Sequence, residues 1–454
     1  MMNCTDFGEN FSWGVAASAY QTEGAYMVDG KGLSIWDTFT AIPGKIKGNQ
    51  QATVSCDFYN RYMQDLILMH YLNIPNFRFS LSWPRILPEG AGRINEKGLD
   101  FYDRLVDFCL EMDIEPWVTL YHWDLPQDLE LKGGWTNREI LNWFTDYVEI
   151  CASRLSDRVK NWMVLNEPMV FTGAGYFLGI HAPGRRGLNN FLPAAHHAVL
   201  CQALGARVLK SVKSSLNVGT TFSCSLIEPL DYSKPNIDAA QRVDVLTNRL
   251  FIEPLLGLGY PVQDLRMLAQ LDRYMKPEDE NIMQFSMDFI GLQNYTREVV
   301  RQSSLVPYIN AKLVKATTRK VPTTTMNWEV HPESIYCMLK KFSTYNQLKN
   351  IVITENGAAF PDLLVDGKVE DEQRVSYFQN YLQQVLRAKE EGVPVNGYFA
   401  WSFTDNFEWA EGYHQRFGLI YIDYRTQRRY IKSSGHWFRE FLSPAAVHEL
   451  QKAV

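Results

Sequence analysis

KNWMVLNEP, residues 160–168, is a short run of apolar residues that ends in the polar sequence Asn-Glu-Pro. Runs of this kind are typical of strands that are buried on both faces of a parallel sheet. Seven further runs of similar composition begin at Phe11, Asn76, Glu115, Asn217, Met287, Asn350 and Val395. The chain therefore predicts eight strands, and each gap between them is long enough for a helix and an extra loop.

Two of the gaps contain clear helical patterns. After the third run, Thr136 and Glu139 have the spacing of a capping box, and apolar residues then recur at helical intervals at Ile140, Phe144, Tyr147, Cys151 and Leu155. A second helix is predicted from Val375, Phe378, Leu382, Val385 and Leu386. It should stop at Gly392, which is followed by Pro394.

Eight successive strand-then-helix units predict the α/β class and a single (β/α)8 TIM barrel with long βα loops, one domain over residues 1–454. A doubly wound open sheet is the alternative, but no G-x-G-x-x-G motif follows the first strand. Barrel enzymes carry out their chemistry at the carboxyl ends of the strands. The residues of interest are therefore the polar ones where each run ends.

Composition excludes several classes of partner. The 45 Lys and Arg residues against 51 Asp and Glu residues leave a net charge of −6, so no nucleic-acid partner is expected. No apolar stretch is long enough for a membrane span, and the N-terminus lacks the pattern of a secretion signal, so we expect a cytoplasmic protein. The seven scattered cysteines form no C-x-x-C pair, which predicts reduced thiols, no metal and no cofactor.

Two glutamates stand where buried runs end. Glu167 follows the fourth run, and Glu355 ends the seventh. Either one alone could equally be a solvated loop residue. Together they lie three strands apart in the predicted barrel, roughly across its mouth, and two opposed carboxylates are what glycoside hydrolysis requires.

The motifs around these glutamates resemble those of the family 1 glycoside hydrolases, the β-glucosidase family. Asn-Glu-Pro at 166–168 and Thr-Glu-Asn-Gly at 354–357 are similar to the two catalytic signatures of that family. Further similar blocks occur in the family's order at residues 11–24, 77–88, 119–126, 405–413 and 416–419. The resemblance therefore extends over most of the chain.

The resemblance implies a retaining mechanism in which Glu355 is the nucleophile and Glu167 the acid/base. Arg78 resembles the family arginine beside the nucleophile, and Tyr295 the tyrosine that hydrogen-bonds it. A purely structural ion pair is a compatible role for Arg78. In retaining enzymes the carboxyl groups lie about 5–5.5 Å apart. At that distance the charge of Glu355 should raise the pKa of Glu167 and keep it protonated.

The resemblance also implies a sugar site. The substrate-binding residues expected from it are Gln21, His122, Trp123, Asn166, Gln293, Trp328, Trp401, Glu408, Trp409 and Phe417. Trp401 would be the floor under the sugar, Phe417 a wall, and Trp328 a contact for the leaving group, with a simple loop anchor as the alternative for Trp328. Other tryptophans are predicted to be mainly core, namely Trp13, Trp36, Trp83, Trp135, Trp143, Trp162 and Trp437.

Two features depart from the family pattern or extend it. Gln293 stands where an Asn is usual, and Asn294 where a Tyr is usual, which bears on the preference for the leaving group. The segment from Arg297 to Trp328 contains six basic residues and one acid, Glu298. It is either a mobile rim that meets acidic or oligomeric leaving groups or a solvated loop.

The expected function is a retaining exo-β-glycosidase, with β-glucosidase as the first choice, acting on small-molecule β-glycosides through a covalent glycosyl-enzyme intermediate. β-Galactosidase or β-fucosidase specificity and transglycosylation on the same site stay open, as does a non-catalytic sugar-binding protein. Glu408 should repel a phosphate, which disfavours phosphosugars. A metal-dependent hydrolase has little support, because His196 and His197 lie in a predicted helix away from the strand ends.

Overall fold

The computed structural model describes residues 2–443. Eight parallel strands close into a barrel, which confirms the predicted (β/α)8 architecture. They are β1 (Ser12–Ala16), β2 (Asn76–Ser80), β3 (Glu115–Tyr121), β4 (Asn161–Asn166), β5 (Asn217–Ser223), β7 (Phe289–Gln293), β10 (Ile351–Asn356) and β11 (Val395–Trp401). Their order around the barrel is β1-β11-β10-β7-β5-β4-β3-β2, so each predicted run supplies one barrel strand.

Within residues 2–443, five further strands lie outside the barrel, and these were not predicted. They are β6 (Leu226–Pro229), β8 (Arg297–Gln302), β9 (Ala311–Leu313), β12 (Ile420–Asp423) and β13 (Arg428–Ile431). β6, β8 and β9 form one small sheet, and β12 and β13 form an antiparallel pair. The basic segment after the sixth barrel strand therefore contains two short strands and the helical turn Ala316–Arg319, and the rest of it is irregular.

Helices connect the strands. The α-helices are Ala19–Thr22, Ile35–Thr40, Phe58–Tyr71, Trp83–Ile86, Glu96–Glu111, Gln127–Leu131, Ile140–Leu155, Pro168–Thr172, Leu188–Val212, Lys234–Asp244, Ile252–Leu255, Asp279–Ile282, Ala316–Arg319, Glu333–Ser343, Glu372–Glu390 and Ser433–Leu442. Within residues 2–443, none of the helices is long and apolar enough to cross a membrane.

Both helices predicted in detail are present, but the capping box is wrong. The helix Ile140–Leu155 begins after Glu139, whose side chain makes no capping bond. Thr136 instead donates from Oγ1 to the carbonyl of Gly133, and Asn137 Oδ1 accepts the backbone N–H of Glu139. A short 3₁₀ turn over Gly134–Thr136 moves the helix start by several residues. The second helix, Glu372–Glu390, ends as predicted just before Gly392, which has φ +86°.

Large aromatic rings fill the inside of the barrel. The ring of Trp117 lies 5.0 Å from that of Phe399 and 5.5 Å from that of Phe289. Glycines on the strands make room for them, because a Cβ at Gly14 would lie 2.5 Å from Phe399 and one at Gly219 would lie 2.6 Å from Phe289. The interior is therefore a packed core below the mouth, as in other barrels of this kind.

The tryptophans predicted as core fall into two groups. Trp13, Trp36, Trp83, Trp135 and Trp162 are buried. Trp143 and Trp437 are half-buried and pack on the core from the helix layer. The prediction is therefore confirmed for the first five, whereas the last two cover the outside of the core.

Irregular pairing occurs where the two glutamates leave their strands. The β4–β5 register shifts between Met163 and Asn166, and the β10–β7 register shifts between Ile353 and Glu355. Such bulges bend a strand and redirect a side chain, and they are common beside active sites. Both bulges lie at the strand ends from which the side chains of Glu167 and Glu355 enter the barrel mouth.

Candidate active site

The barrel mouth contains a cavity of about 440 Å³, a size typical of small-molecule sites. Ten of the predicted residues line it, namely His122, Trp123, Glu167, Tyr295, Trp328, Glu355, Trp401, Glu408, Trp409 and Phe417. The other four do not line it. They are Gln21, Arg78, Asn166 and Gln293, which are fully buried. The first three bond to lining side chains, and Gln293 bonds to Asn166.

Glu355, the predicted nucleophile, is held by two donors. Arg78 donates from Nη1 to one carboxyl oxygen at 2.5 Å, and the Tyr295 hydroxyl donates to the other at 2.7 Å. Burial raises the pKa of Glu355, while Arg78 and Tyr295 act in the opposite direction. Both donors stabilise the ionised form of this buried carboxyl group.

Glu167, the predicted acid/base, has no cation as a hydrogen-bond partner among the described residues. It begins a short helix with φ +46°, a left-handed conformation that is uncommon for a residue with a side chain. Burial, followed by the charge of Glu355, raises the pKa of Glu167 well above its usual range. Of the two carboxyls, Glu355 therefore ionises first and Glu167 keeps its proton.

Asn166 connects the two halves of the site. Its Oδ1 accepts bonds from Arg78 Nη2 at 2.6 Å, Gln293 Nε2 at 2.8 Å and Thr221 Oγ1 at 3.0 Å. Its amide nitrogen must then be the donor to His122 Nε2 at 3.0 Å. This assigns the proton of the neutral imidazole to Nδ1, which is buried and has no partner among the described residues. Burial and Arg78 lower the pKa of His122, which agrees with a neutral ring.

Gln21 and Glu408 form a second polar cluster. Gln21 Nε2 donates to Glu408 Oε2 at 3.3 Å and to the carbonyl of Phe407 at 3.0 Å, and its Oε1 accepts from Ser18. Burial, with the charge of Glu355 next, raises the pKa of Glu408 to about 8. A carboxyl in this state can both donate and accept bonds with hydroxyl groups.

Aromatic rings surround these polar groups. The His122 ring stacks between Trp401 and Trp409, with centroids 5.9 and 5.8 Å away. Trp123 lies 4.4 Å from Trp409 on its other side. Trp36, predicted as core, packs 4.6 Å from Trp409 and so supports the site from below. Stacking of this kind holds the indoles rigidly in place.

Trp328 lies towards the open end. A tight turn with Asn327 at φ +61°, closed by a bridge between Thr323 and Glu329, holds it in position. Its ring is 5.3 Å from Tyr295 and 6.1 Å from Phe417. Trp328 is half-buried, so one part of it anchors the loop while another part faces the cavity.

Sequence reasoning missed several lining residues. They are Val170, Ile180, His181, Ser223, Cys224, Ser225, Thr296, Glu298, Met326, Ala410 and Glu411. Ala410 and Glu411 stand within the block at residues 405–413, and Met326 is two residues from Trp328, so their neighbours were a usable signal. Ile180 and His181 lie in a long loop after β4, and no pattern in the sequence marks them.

The two departures from the family pattern are both buried. The Gln293 amide nitrogen bonds to Asn166, whereas its Oε1 has no partner among the described residues. Asn294 donates to the carbonyls of Cys224 and Thr296 and accepts from the Ser334 hydroxyl. Asn294 therefore connects its own loop to the loop after β5 and to the helix Glu333–Ser343, and it does not line the cavity.

His196 and His197 are satisfied within the protein. His196 contacts Asp279 at 2.7 Å and Tyr260 at 2.8 Å, and His197 contacts the carbonyl of Trp135 at 2.8 Å. Within residues 2–443, no group of three His, Cys, Asp or Glu side chains is arranged to hold a metal ion.

Comparison with known proteins gives consistent matches over almost the whole chain. The sequence family "Glycosyl hydrolase family 1" matches residues 3–446. Beta-glucosidase A of Thermotoga maritima is 43% identical over 439 residues, which are 96% of this chain and 98% of that protein. A 1,4-beta-D-glucan glucohydrolase of Thermotoga neapolitana is 42% identical over 435 residues, covering 95% and 97% of the two chains.

Solved structures agree with the sequence matches. The T. maritima β-glucosidase in complex with deoxynojirimycin superposes with a TM-score of 0.92 at 42% identity, covering 96% of this chain and 98% of that one. The fold, the sequence match and the order of the motifs lead to one conclusion: the chain belongs to glycosyl hydrolase family 1.

Proposed function

We propose that this protein is a retaining, exo-acting β-glucosidase that releases terminal non-reducing β-D-glucosyl residues, with residues 1–454 forming a single catalytic domain. One observation carries the proposal. Glu167 and Glu355 line the same cavity but have opposite surroundings: two donors hold Glu355 as a carboxylate, while burial keeps the proton on Glu167. Two carboxyls with separated pKa values are what a glycosidase needs for its acid and its nucleophile.

In the first step, a carboxylate oxygen of Glu355 attacks the anomeric carbon of the sugar. The bond to the leaving oxygen breaks with its electron pair, and Glu167 gives its proton to that oxygen. A glycosyl ester with Glu355 forms, and the negative charge beside Glu167 disappears. The pKa of Glu167 should then fall, because that charge was one of the causes that raised it.

In the second step, Glu167 takes a proton from water and the resulting oxygen attacks the anomeric carbon. The ester bond breaks, Glu355 regains its charge, and Glu167 is protonated again. Two inversions return the β configuration. Arg78 and Tyr295 touch the nucleophile throughout, so they stabilise it as leaving carboxylate in this step.

The remaining predicted residues bind the sugar in this proposal. His122 and Glu408 both line the cavity, and we propose that they bond to the hydroxyl groups of the sugar there. The sugar packs on Trp401 and against Trp409 and Phe417. Gln21, Asn166 and Gln293 are proposed to act mainly by orienting these groups. No cofactor is required for these steps.

Glucose is the proposed sugar because relatives at 40–43% identity are named as β-glucosidases. The cysteines of this chain are all unpaired, which supports a reducing compartment such as the cytoplasm. The proposed substrates are small β-glucosides.

A panel of 4-nitrophenyl β-D-glycosides tests the proposal. We expect the highest kcat/KM with the glucoside, and NMR of the first product should show the β anomer. First release of the α anomer would contradict the retaining mechanism. A higher kcat/KM with the galactoside or fucoside would show that galactose or fucose, and not glucose, is the preferred sugar. Tight sugar binding without any turnover would indicate a sugar-binding protein instead.

A further inference from the structure

Glu298 stands apart from the polar groups around it. The segment from Arg297 to Trp328 contains six basic residues and a single acidic one, Glu298. Glu298 lines the outer part of the cavity, as does Trp328. Within the described residues, its carboxyl group makes no hydrogen bond and no ion pair. A charge that is half-buried in a cavity and unpaired is poorly stabilised by the protein itself.

The basic residues of this segment do not supply its partner. Arg297 pairs with Glu228 at 2.5 Å and with Glu329 at 2.8 Å, and Arg319 pairs with the same Glu329 at 2.5 Å. Arg301, Lys312, Lys315 and Lys320 are exposed. Because Arg297 and Arg319 are already paired, they leave little positive charge free for an acidic leaving group on the side of the segment that faces the cavity.

The other acids of the cavity already have roles or partners. Glu167, Glu355 and Glu408 belong to the inner end, and Glu411 at the rim pairs with Lys47 at 2.9 Å. Ser225 and Trp328 of the same cavity are uncharged, whereas Arg297, Lys315, Arg319 and Glu329 line a smaller pocket on the other side of Glu298. Glu298 is thus the unpaired charge at the end where a leaving group would lie.

We propose that Glu298 is a specificity residue for the leaving group, favouring β-glucosides whose aglycone carries an ammonium group and disfavouring those that carry a carboxylate. This inference rests on the proposed β-glucosidase function. An ammonium would provide the partner that Glu298 lacks, whereas a carboxylate would meet a like charge in a partly dehydrated site. Neutral leaving groups should be affected little.

The charge of Glu298 depends on pH in the working range. Burial, opposed by Arg319 and reinforced by Glu329, raises the pKa of Glu298 to about 7. The preference should therefore grow as the pH rises through this value and Glu298 ionises. Other titratable groups also act on the charge of Glu298. Those in the smaller pocket behind it are Arg297, Lys315, Arg319 and Glu329. Those that line the same cavity are Glu167, His181, Glu355, Glu408 and Glu411.

Three matched substrates test the proposal. They are the 4-(aminomethyl)phenyl, 4-(hydroxymethyl)phenyl and 4-(carboxymethyl)phenyl β-D-glucosides, whose leaving oxygens are similar. At pH 8 and low salt, kcat/KM should be higher for the ammonium substrate than for the carboxylate substrate by on the order of fivefold to tenfold. The ratio should fall at pH 5.5 and at high salt, where protonation and screening remove the effect.

Variants assign the effect to this residue. Glu298→Gln should bring the ratio close to one, and Glu298→Asp should keep part of it. Glu411→Gln is the matched control, because it removes an acid of the same cavity that Lys47 already neutralises, and the ratio should stay near the wild-type value. Glu298→Ser offers a second neutral variant if Gln disturbs folding, which a thermal melt would show.

The outcomes separate the two proposals. An unchanged ratio in folded Glu298→Gln or Glu298→Ser would overturn the role of Glu298, as would a wild-type ratio near one at pH 8. Failure of the wild-type protein to turn over the neutral hydroxymethyl substrate would instead overturn the proposed β-glucosidase function.

Discussion

The inner and outer ends of the cavity are built differently. At the inner end, Arg78, Asn166 and Gln21 are fully buried, and each makes at least three polar contacts with its neighbours. At the outer end, Glu298 has no hydrogen-bond partner among the described residues, and Ile180 is 55% exposed. The inner end is thus held by hydrogen bonds before any ligand arrives, whereas the outer end includes a carboxyl group without such a bond.

The difference reflects the two parts of the proposed substrate. The sugar has a constant shape and a charge that develops in the transition state, so rigid and preorganised groups are effective there. The leaving group varies, and groups without protein partners can bind a range of structures. Catalytic effects should therefore be largest for the inner residues and decrease outwards.

The largest effect is expected at the nucleophile. Glu355→Gln removes the attacking oxygen, so kcat/KM on 4-nitrophenyl β-glucoside should fall by on the order of 10⁴-fold or more. Glu355→Gly with added azide provides the control, because azide can enter from the vacated face and should give the α-glucosyl azide, identified by NMR. Full turnover by Glu355→Gln would contradict the assignment.

A substrate-dependent loss is expected at the acid/base. Glu167→Gln cannot protonate the leaving oxygen, so kcat/KM on an alkyl β-glucoside should fall by about 10²- to 10⁴-fold. A 2,4-dinitrophenyl glucoside needs no proton and should lose far less in kcat/KM. Azide should raise kcat and give the β-glucosyl azide, the opposite anomer from the Glu355 variant. An equal loss on both substrates would show that Glu167 is not the acid.

A smaller loss, with a shift in pH dependence, is expected at Tyr295. Its hydroxyl donates to ionised Glu355, so Tyr295→Phe removes a group that lowers the pKa of that carboxyl. The pKa of Glu355 should rise, the acid limb of the kcat/KM profile should move to higher pH, and kcat/KM should drop by about tenfold to a hundredfold. Tyr147→Phe, which removes a buried hydroxyl bonded to the Leu120 carbonyl, should leave the limb in place.

The smallest effect is expected at Gln293. Gln293→Asn shortens the amide and weakens its 2.8 Å bond to Asn166, which keeps two other donors. We expect kcat/KM to fall by about twofold to tenfold. The loss should be of the same size for glucosides with different leaving groups, because Asn166 belongs to the inner end. A change confined to one leaving group would place Gln293 in the outer end instead.

The sequence alone determined the barrel fold of this protein and the positions of its two candidate catalytic glutamates. Eight apolar runs predicted the barrel strands, because a strand buried on both faces needs a continuous apolar run wherever it occurs in the chain. Glu167 and Glu355 were identified from their places at the ends of two such runs. The capping box at Thr136 failed, because a local motif competes with the 3₁₀ turn that precedes the helix.

Only the tertiary structure decided which side chains line the cavity. Arg78, Asn166 and Gln21 stand in recognised motifs, yet they lie behind the lining, where they bond to Glu355, His122 and Glu408. The charge of the Arg297 to Trp328 segment is the clearest case. Its sequence is basic, but Glu228 on β6 and Glu329, the residue that follows the segment, pair with Arg297 and Arg319. Glu298 lines the cavity without an ion pair, because the nearby arginines bind other acids. Which charges are neutralised depends on contacts between side chains, and the sequence alone does not show these.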